Sequence, residues 1–125
     1  MPGTYTDSYR TIEAKTAAYA ILDKDFGKIL TTRGAGASVT FTLPNTAGLN
    51  PGWFVDIYQC ADWAMVIVPF NTAVAAMVTK NNLAAVSLTI DQAGELIGNG
   101  FRLVWDGTCW LVYMFTEETV TVTVA

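Results

Sequence analysis

Hydrophobic residues recur at every second position in short runs along this chain, and turn-forming residues separate the runs. At 39–43 Val39, Phe41 and Leu43 fall on one side of an extended chain, with Thr40 and Thr42 on the other. That is the period of a half-buried strand. Pro44 has no N–H for a ladder and predicts the end of the strand. Similar runs predict strands at 17–22, 28–32, 53–60, 63–68, 85–90, 100–105 and 108–115. The run at 53–60 is apolar on both faces, with Asp56 interrupting one of them, and such a strand is covered on both sides. With the run at 63–68 it reads as a hairpin. Asp106-Gly107 predicts a second hairpin with a type I′ turn. Residues 70–82 fit a loop with a short strand or a helical turn. Residues 119–124 alternate Thr and Val, and the expectation is a strand at the domain edge or between chains.

Short strands at spacings near ten, with Gly, Pro and Asn between them, predict an all-β protein, an antiparallel β-sandwich or jelly roll. The expected organisation is an N-terminal arm over 1–16, a β-sandwich domain over 17–116 and a C-terminal strand over 117–125.

The order of these pieces carries a resemblance. Asp25-Phe26-Gly27-Lys28, a Gly/Ala-rich turn, Val39-Thr40-Phe41-Thr42-Leu43-Pro44, a Gly before an aromatic-rich strand, and a closing Asp106-Gly107-Thr108-Cys109-Trp110 hairpin follow one another. Together they resemble a small β-domain of bacteriophage virion proteins, found in head-decoration and tail-fibre proteins, over about residues 19–115. The resemblance implies a structural virion role and a homotrimer.

Composition sharpens the picture. Of 125 residues, 52% are hydrophobic and only 14% charged, where ordinary domains are nearer one quarter charged. A small domain this apolar is expected to meet other chains, either its own copies or a larger assembly. The net charge is −4 and no Lys/Arg cluster exists, so no nucleic-acid partner is expected. No apolar run reaches membrane-spanning length, and the first residues lack the basic and apolar regions of a signal peptide. The expectation is therefore no membrane partner, with synthesis in the host cytoplasm and residence in the virion.

Candidate chemistry is sparse. Without any His, neither a Ser-His-Asp triad nor a Cys-His dyad can be built, and two cysteines are too few for a Cys₃ or Cys₄ zinc site. Cys60 and Cys109 are expected as small buried apolar side chains, with a disulfide the alternative. Asp23 and Asp25 are expected in a solvated turn. A carboxylate pair such as Asp56 with Glu95 is the one hydrolytic arrangement left, and nothing selects it. The Gly-rich loop at 33–38 lacks the Gly-Lys-Ser/Thr ending of a phosphate loop. No enzyme activity, cofactor or metal is expected.

Binding candidates remain. Residues 1–16 read either as a frayed terminus or as an arm ordered on a partner, with Tyr5, Tyr9, Arg10 and Ile12 as the expected anchors of such an arm. Val120, Val122 and Val124 form an apolar stripe suited to oligomer contact. Trp53 and Trp63 begin adjacent strands and are candidates for stacking on carbohydrate, against the burial that Trp usually undergoes. The chain starts at Met1 and carries no shaft sequence, which places a head decoration or cement protein bound to the major capsid protein first. A tail-fibre or receptor-binding component contacting host-surface carbohydrate comes second.

Overall fold

The computed structural model of the chain describes residues 9–71, 76–91, 96–115 and 121–124. Among these residues it is all-β: one curled eleven-stranded sheet and a single 3-10 turn at Asp23–Asp25. The strands are β1 (Ile12–Ala14), β2 (Tyr19–Ala20), β3 (Ile29–Thr31), β4 (Val39–Thr42), β5 (Phe54–Tyr58) and β6 (Met65–Val68). They continue with β7 (Met77–Thr79), β8 (Asn82–Ile90), β9 (Gly100–Trp105), β10 (Trp110–Met114) and β11 (Thr121–Val124). Alternation places the buried side chains as read: Val39 and Phe41 on β4, and Met65 and Ile67 on β6, are buried while their neighbours are half-exposed.

The pairing differs from the expected antiparallel arrangement. Five ladders are parallel and five antiparallel. The first six strands wind as a coil between two parallel runs, β1-β3-β5 and β2-β4-β6. Ile12 pairs with Ile29 and Ile29 with Asp56, while Tyr19 pairs with Phe41 and Phe41 with Ile67. Parallel neighbours need a long crossover, and here a strand of the other run supplies each one. The hairpin expected over 53–68 therefore does not form, because β5 and β6 belong to different runs. Alternation reports that a strand has one buried face. It does not report which strand lies beside it. Side chains of both runs, Leu30, Val55 and Ile57 with Phe41, Met65 and Ile67, meet in one core.

β8 joins the runs. Ala85 pairs with Met77 of β7 on one edge and with Val124 of β11 on the other; Leu88 pairs likewise with Ile67 of β6 and Val122 of β11. β6 and β7 thus follow one another along a single edge of β8. Pro69 ends β6 because it cannot donate to the ladder, and beyond it the sheet forks: β6 continues to β4 and β7 to β10. β11 lies at the edge expected for the C-terminal strand and pairs with β8 of its own chain. Thr119 and Val120 lie outside the described residues.

The two-residue hairpin is elsewhere than predicted. Lys80 and Asn81, at φ 48° and 64°, join β7 to β8 as the positive-φ pair of a type I′ turn. β9 and β10 do form the expected hairpin, but through a four-residue loop closed by Asp106. Its Oδ1 accepts hydrogen bonds from the N–H groups of Thr108 and Cys109, both at 2.7 Å.

Part of the expected arm belongs to the sheet. β1 pairs along β3, and Lys15 N–H donates to Thr31 O at 2.7 Å. Asp25, expected in solvent, is fully buried. Its Oδ2 accepts from Tyr19 Oη at 2.8 Å and Leu22 N–H at 3.0 Å, and its Oδ1 lies 2.9 Å from Lys28 Nζ. Lys28 also pairs with Glu13, Glu13 with Lys15, and the Lys15 ammonium stands 3.8 Å over the Tyr19 ring. The ring of contacts closes on itself and ties β1, β2 and β3 together, which explains a buried carboxylate in a short turn.

Candidate interaction surface

β5, β9 and β10 lie side by side, and residues paired across neighbouring strands share a face. Asp56 pairs with Arg102, and Arg102 with Tyr113; Tyr58 pairs with Gly100. The outer face of this part of the sheet is therefore a row of charge flanked by rings. Asp56 is 6% exposed. Its Oδ1 accepts from Arg102 Nε at 2.7 Å, and its Oδ2 from Arg102 Nη2 at 2.9 Å and Arg10 Nη1 at 2.8 Å. Arg10 is held further by Gly27 O and Lys28 O. Both guanidiniums stand near the Phe54 ring, at 4.7 Å for Arg102 and 5.5 Å for Arg10.

Burial alone disfavours the Asp56 carboxylate and is the largest influence on it. Hydrogen bonds from Arg102 and Arg10 together outweigh it and hold the carboxyl below its ordinary value. A general acid needs the opposite shift. Glu95, its candidate partner in hydrolysis, lies outside the described residues. The chemical capacity of this site is recognition: two guanidiniums against one carboxylate leave one positive charge in excess, and Arg102 Nη1 has no partner among the described residues.

Three rings surround this charge. Tyr58 is 40% exposed, and Tyr113 and Phe115 are each 53% exposed. Half-exposed rings of this size leave roughly 300 Å² open in total, the lower end of the largest patch that a typical monomer exposes. Gly100 lies beneath two of them: a Cβ there would meet Phe115 Cδ2 at 2.8 Å and Tyr58 Cδ2 at 2.9 Å. The absent side chain lets the rings lie down over the strand.

The other candidates are dispersed. Tyr9 and Ile12 are exposed at the β1 edge of the same sheet, while Arg10 is bound into the ion cluster. Tyr5 lies outside the described residues, as does Val120, and Val122 and Val124 lie on β11. Trp53 is 8% exposed, its Nε1–H donates to Asp23 O at 2.9 Å, and it packs edge-to-face on Trp110. Trp63 is 48% exposed and lies beyond the far end of β5. The two rings do not flank one edge. Cys60 and Cys109 are both free and stand at opposite ends of the β5–β9 ladder. A strand of five residues separates them by roughly 15 Å, against the 7 Å or less that a disulfide needs between Cα atoms.

Sequence reasoning named Asp56 and Arg10 but not their union, and passed over Arg102 and Tyr113. The available signal was Asp56 itself, a charge in an otherwise apolar strand, which calls for a cation on a neighbouring strand. The chain matches no protein-family model and no curated protein sequence. No helix among the described residues is long and apolar enough to cross a membrane.

Proposed function

We propose that this protein is a bacteriophage virion structural protein, a non-enzymatic decoration or cement protein. In this reading it binds the assembled head as a homo-oligomer, a trimer, with the major capsid protein or another virion protein as its further partner. The observation that carries the reading is the exposed aromatic face around the Asp56–Arg102 pair. Aromatic residues and Arg are the side chains enriched where proteins meet. The resemblance of the strand-and-turn order to phage virion domains supplies the setting. A protein that binds only the assembled lattice stabilises it by mass action.

The test is to add purified protein to heads of the encoding phage assembled without it. Saturable co-sedimentation and a raised temperature of head disruption are expected. Failure to bind assembled heads would refute the reading. The second reading, a tail-fibre component contacting host-surface carbohydrate, rests on the exposed Trp63 ring. It requires saturable binding of host surface glycans that is lost in Trp63→Ala.

A further inference from the structure

We infer that the aromatic face is covered by a second copy of this chain, which inserts its Asp62-Trp63 loop against Arg102. This contact rests on the oligomeric half of the proposed function and is independent of attachment to heads. Among the described residues Arg102 Nη1 has no partner, and it lies on the face of the half-exposed rings of Tyr58, Tyr113 and Phe115. Its described charged groups, Arg10 and Arg102 against Asp56, leave one positive charge in excess, on a chain of net charge −4. A complementary element therefore offers a carboxylate beside an apolar ring, and this chain presents one.

Asp62 is exposed and has no partner among the described residues, and Trp63 beside it is the one exposed tryptophan of the four. The loop is held in shape from below. Gln59, fully buried, donates from Nε2 to Trp63 O at 2.8 Å, and its Oε1 accepts from Asn99 Nδ2 at 3.2 Å. Gln59 N–H donates to Asn99 O at 2.7 Å and Gly98 N–H to Gln59 O at 2.8 Å. A preorganised loop loses little freedom on docking. Trp and Arg at the centre of a contact are the residues that dominate binding. The carboxylate meets Arg102 while the indole lies on the rings beside it. Loop and face adjoin at Tyr58, the last residue of β5, and the contact repeated from copy to copy closes into a ring where its rotation closes and into a filament where it does not.

Sedimentation equilibrium of the full chain from micromolar to millimolar concentration tests this, alongside Asp62→Arg and Trp63→Ala. Both substitutions lie in an exposed loop, and their melting curves check that the fold is kept. The wild type is expected to exceed its 13.5 kDa monomer mass with rising concentration. Each variant is expected to weaken association at least tenfold, and added salt to weaken the wild type. A third variant, Arg102→Lys, keeps the positive charge but loses the planar fork that grips Asp56 through Nε and Nη2 and leaves Nη1 over, and is expected to weaken association as well. Wild-type oligomers that all three variants leave unchanged would overturn the contact and leave the oligomer standing. A wild type monomeric at every concentration would overturn both.

Discussion

Arg102 on β9 grips Asp56 on β5 with two hydrogen bonds, at 2.7 and 2.9 Å, across directly paired backbone positions. The grip is bidentate and the carboxylate is buried, so removing one partner leaves the other exposed to its full desolvation cost. Arg102→Ala is expected to destabilise the fold by about 1–3 kcal/mol, since Arg10 still neutralises the carboxylate. Asp56→Ala combined with Arg102→Ala should cost less than the sum of the two changes. Urea midpoints of the two single variants and the double variant measure the coupling.

Acid should unfold the protein chiefly through the two buried carboxylates among the described residues, beside smaller contributions from the partly exposed Glu13 and the exposed Asp106. Asp56 and Asp25 both have folded pKa values below the ordinary 3.8. Burial opposes ionisation at each, and hydrogen bonds from Arg102 and Arg10, or from Leu22 N–H, Lys28 and Tyr19, overcome it. A lowered folded pKa contributes stability above the unfolded value and loses it as pH falls through the folded one. Stability is expected to hold down to about pH 5 and then to fall. Asp56→Asn should flatten that fall, read from denaturant midpoints at stepped pH.

Alkali acts through Tyr19. Its burial, and then its hydrogen bond to Asp25, raise the phenol from 10.0 to about 12. A raised folded pKa means stability present below pH 10 and lost as pH rises toward 12. The ultraviolet titration of tyrosinate should show a late-ionising component that Tyr19→Phe removes.

Among the described glycines, Gly100 leaves the least room for a side chain. Gly100→Ala is expected to cost about 1–2 kcal/mol, because its methyl group displaces the Phe115 and Tyr58 rings. The same change in a Tyr58→Ala, Phe115→Ala background should cost less, as thermal melting will show. An equal cost in both backgrounds would place the strain in the backbone.

The turn at Lys80-Asn81 has positive φ at both residues. Replacing the pair by Asn-Gly should stabilise the protein by about 0.5–1 kcal/mol, and Asn81→Val should destabilise it by at least as much. Chemical denaturation of the two variants gives the sign of each.

Local pattern determined much of this protein by itself. Val39 and Phe41 alternate with Thr40 and Thr42, so β4 has a buried face in any arrangement that buries apolar side chains. Pro44 and Pro69 stop strands because a missing N–H acts within the residue itself. Only the tertiary structure decided the neighbours. The runs at 53–60 and 63–68 read as a hairpin, yet β5 and β6 lie in different parallel runs, because a period of two is the same for either partner. Asp25 sits in a sequence that reads as a solvated turn and is buried because Tyr19, Leu22 and Lys28 converge on it through the fold. The candidate surface divides the same way. Asp56 was legible as a charge in an apolar strand, whereas Arg102 and Tyr113 became its neighbours through ladder register, which long-range strand pairing sets and no local run of residues encodes.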